Sequence, residues 1–188
     1  MKIKELCFEQ IEAIYNDHMK KDFPPDELFP LARMKTLLAK KQYLCLGLSE
    51  NDIPVGYAFY VTDGSSAALG DYFAIFEKYR NSGLGTSALE AFNEYLSDFK
   101  LVLGEVEDPD YAADDNAKAL MQRRIEFYRR NGLHITDIKV RTFGVNYLLI
   151  YRSAERHERD ELIRLYQNFY DIRASVPLRK KHVKILNG

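Results

Sequence analysis

A short segment at residues 80–86, RNSGLGT, contains the residue types needed to bind an anion. Gly83 and Gly85 lack a Cβ atom, so the backbone there can approach a ligand closely or take left-handed dihedral angles. Where such a segment opens a helix, the first backbone N–H groups and the positive end of the helix dipole converge on one place. Arg80 adds a positive charge. This chemistry favours a phosphate group, although a plain turn could carry the same Gly-x-Gly pair.

Two elements must position this segment. Residues 69–76, LGDYFAIF, form an apolar run interrupted only by Asp71, which predicts a buried strand. Residues 77–82 are a polar connection, and residues 83–95 carry apolar side chains at helical spacing. The sequence therefore predicts a strand, a glycine loop and a helix in direct succession.

The remaining elements predict a mixed sheet. Strands are expected at residues 1–7, 42–48, 55–62, 101–107, 133–140 and 145–151. Helices are expected from residue 8 to the Phe23-Pro24-Pro25 stop, from Asp26 or Pro30, over 116–130, and over about 155–172 with Leu162, Tyr166 and Phe169 as the apolar stripe. Only the strands flanking the central helix are joined by a parallel crossover. We expect an α/β (α+β) fold with a mostly antiparallel sheet of about seven strands and helices on both faces.

Length and composition narrow the classes of function. A chain of 188 residues with 46% hydrophobic content predicts one domain over 1–152, with the helix and basic tail of 153–188 packed on it or extending it. A net charge of −1 gives no field that would recruit nucleic acid. No apolar run reaches a membrane span of roughly 18 residues, and the first ten residues do not resemble a signal peptide. The two cysteines lack CxxC spacing, which indicates reduced thiols and a cytoplasmic location. The histidines are scattered, which argues against a metal site.

Dinucleotide binding is one interpretation of the glycine loop. Gly83-x-Gly85-x-x-Ala88 satisfies the G-x-G-x-x-A pattern, and Glu105 follows about 20 residues later at the end of a strand. In a dinucleotide-binding fold, however, the first glycine follows its strand almost at once, whereas residues 77–82 intervene here. The pattern also usually opens the domain, and here two helices and a hairpin precede it. The context argues against this interpretation.

A second interpretation rests on two segments about 40 residues apart. Residues 80–85 fit R-x-x-G-x-G after a strand that ends Ala74-Ile75, and residues 125–133 read IEFYRRNGL. Together they resemble the two signature segments of the GNAT-type N-acetyltransferases. The resemblance covers residues 1 to about 151, in segment order as well as in motifs. It implies acetyl-CoA as co-substrate, no metal, and a splayed parallel β-α-β crossover in the sheet.

The resemblance also assigns residues to the cofactor. The pyrophosphate of CoA would lie on the glycine loop, and the pantetheine arm would pair with the backbone of the preceding strand. The expected cofactor-binding residues are Phe73, Ile75, Arg80, Asn81, Ser82, Gly83, Leu84, Gly85 and Thr86. Many relatives also contact the cofactor through an asparagine that is replaced here by Met121. Arg123 or Arg124 could replace that contact, or both could be solvated helix charges.

Acetyl transfer to an amine needs a base for the amine and an acid for the departing thiolate. By resemblance, Tyr128 is the acid, and a core aromatic is the alternative for this residue. Glu105 is favoured as the base, and Asp71 is the second candidate; either could instead be a hydrogen-bonded structural carboxylate. A backbone donor near Ile75 would stabilise the oxyanion.

The acceptor is expected near residues 22–28 and 141–147. Asp71, Glu105, Glu107 and the acidic loop 108–115 would form a negative cleft, which suits a cationic primary amine such as a polyamine, an aminoglycoside or a lysine side chain. The loop could also be merely solvated. We expect a monomer or homodimer with no nucleic-acid or membrane partner. The alternative function is a non-catalytic acyl-CoA sensor or partner-binding module, and the basic tail could dock an acidic partner or remain solvated.

Overall fold

The computed structural model describes residues 1–25 and 27–187, and the chain divides into two compact units. Unit 1 comprises Met1–Ser65 and Gly70–Asp98, and unit 2 comprises Ser66–Leu69 and Phe99–Gly188. One strand therefore contributes its first residues to unit 2 and the rest to unit 1.

Unit 1 contains a bent helical segment, two further helices and strands in the order β1-β2-β3-β4. The elements are β1 (Lys2–Glu5), α1 (Phe8–Ile14), a π-helical turn (Tyr15–Met19), α2 (Lys20–Asp22), α3 (Leu31–Ala39), β2 (Tyr43–Glu50), β3 (Ile53–Thr62), β4 (Ala67–Ile75) and α4 (Leu84–Tyr95). β3 is buried at every position from Val55 onward, as expected for a strand covered on both faces. Its aromatic residues Tyr57 and Phe59 pack with Tyr72 and Phe76 from the β4 region, which anchors the strand that precedes the glycine loop.

Unit 2 contains strands in the order β4-β5-β7-β6-β8. The elements after β4 are β5 (Leu101–Glu107), α5 (Asp115–Arg130), β6 (His134–Thr142), β7 (Val145–Arg152), α6 (Arg159–Ala174), α7 (Val176–His182) and β8 (Val183–Ile185). β4 and β5 are parallel over the register from Ala67↔Leu101 to Leu69↔Leu103. β5 with β7, β6 with β7, and β6 with β8 are antiparallel. The turn between β6 and β7 has positive φ at Phe143 and Gly144, as the predicted hairpin requires.

The predicted fold class is confirmed: the sheet is mixed, mostly antiparallel, and has one parallel pair. The described residues contain eight strands, and the additional strand comes from the predicted basic tail. Residues 176–182 form α7, and Val183 is buried as the first residue of β8. The backbone N–H of Phe143 donates to the carbonyl of His182 at 3.0 Å, and the two rings stack. The tail is therefore not a solvated extension, because the open edge of β6 gives it a hydrogen-bonded place.

One helix start differs from the prediction, and another agrees with one of its two alternatives. α6 begins at Arg159 rather than near residue 155, because Ser153 Oγ accepts from the Glu155 N–H and holds the preceding residues in a turn. α3 begins at Leu31 after Pro30, the second of the two predicted starts, whereas Asp26 lies outside the described residues. Within the described part of the chain, no helix is long and apolar enough to cross a membrane.

Candidate active site

The glycine loop of unit 1 presents the first turn of α4. A short 3₁₀ turn, Glu77–Tyr79, follows β4, and Gly83 precedes α4 with φ of 83°. A Cβ atom on Gly83 would meet no atom within 4 Å, so the glycine is required for its backbone conformation rather than for space. Asn81 is also left-handed, at φ of 61°. No side chain caps the amides of the first turn, which leaves these N–H groups for an anion.

Arg80 is held at the end of β4 by two partners in unit 1. Its Nε donates to the carbonyl of Ile75 at 2.9 Å, and its Nη2 forms an ion pair with Asp22 of α2. The Asp22 side chain is only 8% exposed, and its second oxygen accepts from the Tyr57 hydroxyl at 2.9 Å. Burial, followed by the charge of Asp22, raises the pKa of Tyr57, so this hydroxyl stays protonated and donates. Arg80 therefore fixes the loop to α2 in addition to any contact with a ligand.

Successive residues at the end of β4 point their backbone N–H and carbonyl groups toward opposite edges of the strand. The Phe76 N–H donates to the Val55 carbonyl at 2.9 Å, and the Ala74 carbonyl lies 2.6 Å from the place that a Cβ on Gly56 would occupy. Ala74 and Phe76 therefore face β3. Because backbone groups alternate along a strand, Phe73 and Ile75 face the opposite edge. This is the orientation that the predicted pantetheine contacts require, with the Ile75 carbonyl already accepting from Arg80.

Asp71, the second candidate base, lies on β4 in contact with a buried tyrosine of unit 1. The Tyr43 hydroxyl donates to Asp71 Oδ2. Burial, followed by the charge of Asp71, raises the pKa of Tyr43 well above its usual value. Tyr43 therefore remains a neutral hydrogen-bond donor to Asp71. This contact gives Asp71 a structural role in the packing of β4 against β2 residues.

Glu105, the favoured candidate base, is half-buried on β5 of unit 2 and contacts α6. The Tyr166 hydroxyl donates to Oε1 at 2.5 Å. The Tyr170 hydroxyl donates to Oε2 at 2.9 Å, with Oε1 at 3.2 Å. Thr142 Oγ1 lies 2.6 Å from the Tyr166 hydroxyl. Burial, followed by the charge of Glu105, raises the pKa of Tyr166 well above its usual value, so Tyr166 is a neutral donor.

Tyr128, the candidate acid, lies on the half-buried face of α5 in unit 2. Its ring packs against a cluster formed by Val106, Ile125 and Ile150. Its hydroxyl makes no hydrogen bond to the described residues. Burial raises the pKa of Tyr128, and the nearby Arg124 opposes this shift. The side chain thus combines a core aromatic ring with a protonated hydroxyl.

The acidic segment after Glu105 is partly neutralised within unit 2. Glu107 pairs with Arg124, which accounts for one of the two arginines considered for the cofactor. Asp108 and Asp110 both pair with Lys139, at 3.0 and 2.5 Å. The hydrogen bond from Lys139 lowers the pKa of Asp110. Asp114 caps α5 by accepting from the Ala117 N–H at 2.8 Å. The segment is therefore a structured turn in which one lysine is shared by two of its carboxylates.

Several residues of the site escaped the sequence analysis. Asp22 and Tyr57 hold Arg80, and Tyr166, Tyr170 and Thr142 hold Glu105. Tyr166 was visible as part of the apolar stripe of its helix, but helical spacing does not show where a hydroxyl points. No group of three or more His, Cys, Asp or Glu within residues 1–25 and 27–187 is placed to hold a metal ion.

The described residues thus include, in unit 1, a glycine loop whose helix amides are uncapped and, in unit 2, a helix that bears a protonated tyrosine. Residues 8–133 match the model of the Acetyltransferase (GNAT) family. The match covers more than half of the chain, so the protein belongs to this family and is an enzyme, an acyltransferase.

Several solved structures have similar folds. A protein of Bacteroides thetaiotaomicron assigned to the GNAT family shares 21% identity at a TM-score of 0.77, over 94% of this chain and 99% of that one. An aminoglycoside 6'-N-acetyltransferase in complex with coenzyme A shares 11% identity at a TM-score of 0.56, over 84% of this chain and 99% of that one. The ribosomal-protein-S18-alanine N-acetyltransferase of Escherichia coli shares 17% identity at a TM-score of 0.54, over 85% of this chain and 97% of that one. At these identities the likeness shows the fold alone. No curated protein matches the sequence significantly.

Proposed function

We propose that the protein transfers the acetyl group of acetyl-CoA to a primary amine of a small-molecule or peptide acceptor by direct attack. The observation that carries this mechanism is the Tyr128 hydroxyl, which is protonated and makes no hydrogen bond to the described residues. A hydroxyl committed to a structural hydrogen bond could not deliver its proton so readily. Its position in the second signature segment assigns that proton to the departing thiolate.

The glycine loop holds the CoA pyrophosphate in this proposal. Amides from Asn81 to Thr86 donate, the α4 dipole adds positive potential, and Gly83 allows the backbone to turn toward the ligand. The outward backbone groups of Phe73 and Ile75 pair with the pantetheine arm. Arg80 contributes long-range charge while its guanidinium stays anchored to Asp22.

Glu105 takes the proton that the acceptor must lose, directly or through a water molecule. The neutral amine attacks the thioester carbonyl and gives a tetrahedral intermediate with an oxyanion and a protonated nitrogen. Its collapse breaks the C–S bond and expels the CoA thiolate, which receives the Tyr128 proton. The nitrogen releases its surplus proton to solvent, and solvent returns a proton to Tyr128. Each proton transfer contributes roughly 10²- to 10⁴-fold to the rate. Asp71 remains the second candidate base, with its Tyr43 hydrogen bond favouring a structural role.

A cationic acceptor suits the charges that remain after the ion pairs are counted. Arg124 pairs with Glu107, and Lys139 is shared by Asp108 and Asp110, so these pairs cancel part of the negative charge. Asp71 and Glu105 add to the charge that remains. Turnover of a panel of cationic and neutral primary amines tests this point. Faster turnover of polyamines, aminoglycosides or lysine peptides supports it, and turnover confined to neutral amines contradicts it.

Tyr128→Phe tests the mechanism. The variant should bind acetyl-CoA like the wild type in a thermal-shift titration, because the lost hydroxyl makes no structural hydrogen bond. Its rate of CoA-thiol release with an amine should fall by roughly 10²-fold or more. Tyr95→Phe is the matched control, since it removes a tyrosine hydroxyl that binds Glu5 on the surface. Unchanged turnover in Tyr128→Phe removes Tyr128 as the acid. Tight acetyl-CoA binding without turnover of any amine would favour a sensor.

A further inference from the structure

Two tyrosines on α6, outside the residues matched by the family model, converge on the candidate base. We infer that Tyr166 and Tyr170 are positioning residues for Glu105, and that they orient its carboxylate and keep it ionised for proton abstraction. This inference rests on the proposed function, because it requires Glu105 to be the base. It makes α6 a part of the catalytic machinery rather than a packing element.

The contacts fix the carboxylate from both oxygens. Tyr166 and Tyr170 are four residues apart, so their side chains project from the same helix face. One hydroxyl donates to Oε1 at 2.5 Å and the other to Oε2 at 2.9 Å. With a donor on each oxygen, rotation of the carboxylate would break at least one of these bonds. Such a clamp selects one orientation of the group.

A third residue sets the direction of the hydrogen bonds. A carboxylate only accepts, so the single hydroxyl proton of Tyr166 must point at Glu105. The Thr142 hydroxyl, 2.6 Å away, must therefore donate to the Tyr166 oxygen. The chain runs from Thr142 through Tyr166 to Glu105, and each donor polarises the next. Phenylalanine would fill the same buried space at either tyrosine, so packing alone does not require the hydroxyls.

The charged and titratable groups on the adjoining elements define the electrostatic setting. Arg173 of α6 lies over the Tyr170 ring, with its guanidinium carbon 5.6 Å from the ring centre. Glu107 of β5 is paired with Arg124 of α5. On β7, Leu149 is the register partner of Glu105, and Tyr147 is that of Glu107. Removing either tyrosine hydroxyl takes one hydrogen bond away from the Glu105 carboxylate and leaves every nearby charge in place.

The test is the pH dependence of kcat/KM for acetyl-CoA and a fixed amine in full-length Tyr166→Phe and Tyr170→Phe. Loss of a donor disfavours the ionised carboxylate, so the acidic limb should move to higher pH, by about one pH unit for each variant. Turnover should then recover toward the wild-type value at alkaline pH. Glu105→Gln should lose the limb together with most of the turnover. Tyr95→Phe, which removes a remote tyrosine–glutamate hydrogen bond, should leave the profile unchanged.

Thermal melting and acetyl-CoA binding of each variant separate positioning from misfolding. If Tyr166→Phe does not fold, Tyr170→Phe and Thr142→Val keep the inference testable; the latter should give a smaller shift in the same direction. Folded tyrosine variants whose acidic limb stays at the wild-type pH would overturn the positioning role, while loss of turnover in Glu105→Gln would still support the proposed function. Wild-type turnover and pH profile in Glu105→Gln would overturn the base assignment, and with it the inference.

Discussion

Arg80→Ala should destabilise the protein even without any ligand, because it leaves Asp22 buried with one partner fewer. The Asp22 side chain is 8% exposed and contacts Arg80 and the Tyr57 hydroxyl. In the variant, of these two contacts, the hydrogen bond from Tyr57 remains. A hydrogen bond to a charged group contributes about 1.5–3 kcal/mol. The Arg80 side chain is 43% exposed, so solvent screening reduces this to about 1–2 kcal/mol. For a chain of this size, the melting temperature should fall by roughly 2–8 °C.

A double-mutant cycle in urea isolates the interaction. Free energies of unfolding are measured for wild type, Arg80→Ala, Asp22→Asn and the double variant, without CoA. Asp22→Asn preserves the shape of the side chain and an acceptor for Tyr57 while removing the charge. We expect a coupling energy of about 1 kcal/mol, so that the double variant is more stable than the sum of single effects predicts.

An exposed pair provides the control for this cycle. Arg129 and Glu126 also form an ion pair on α5, but their side chains are 54% and 62% exposed. Arg129→Ala should therefore cost less than about 0.5 kcal/mol. Additive effects of Arg80→Ala and Asp22→Asn, or an Arg80→Ala cost no larger than that of Arg129→Ala, would refute the role of Arg80 as an anchor between the loop and α2.

Two further predictions follow from packing and ionisation. Gly56→Ala should lower the free energy of unfolding by about 1–3 kcal/mol in urea, because its Cβ would lie 2.6 Å from the Ala74 carbonyl; Gly47→Ala, whose Cβ meets the movable end of the Leu6 side chain at 2.7 Å, should cost less. In an alkaline absorbance titration, at least four of the 13 tyrosines should not ionise until the protein unfolds, because their pKa values are raised in the folded state. A raised pKa stabilises the fold below about pH 10, the unfolded value, and this contribution is lost as the pH rises toward the folded value. These tyrosines are Tyr43, Tyr57, Tyr128 and Tyr166. A single transition of all tyrosines near pH 10 in the folded protein would contradict the prediction.

Local signals explain why so much of the fold could be predicted from the sequence. The strand at 101–107 was placed at its observed bounds, since an apolar run there lies between polar segments. The end of α5 was placed by Asn131-Gly132, and Gly132 indeed has φ of 84°. β8, by contrast, contains only three residues, too few to show a strand period. It exists because β6 offers backbone partners, and that information lies some 40 residues away in the chain.

The residues of the candidate site show the same difference between local signals and contacts with distant parts of the chain. The glycine loop and Tyr128 were identified from short motifs, whereas their surroundings depend on residues distant in sequence. Asp22 and Arg80 are separated by 58 positions, and no local pattern links a carboxylate in a helix to an arginine after a strand. Composition likewise does not reveal that Lys139, some 30 positions later, pairs with Asp108 and Asp110 in the acidic turn after β5.

The clamp on Glu105 also has a consequence for how the enzyme is made. Tyr166 and Tyr170 follow Glu105 by 61 and 65 positions, so they leave the ribosome later than the carboxylate they hold. At a synthesis rate of roughly 5–20 residues per second, this interval lasts on the order of 3–13 seconds. During that time β5 carries a carboxylate without its two donors. The candidate base is therefore completed only some 60 residues after β5 has been synthesised. A nascent chain that has already built the glycine loop would still lack the partners of its base.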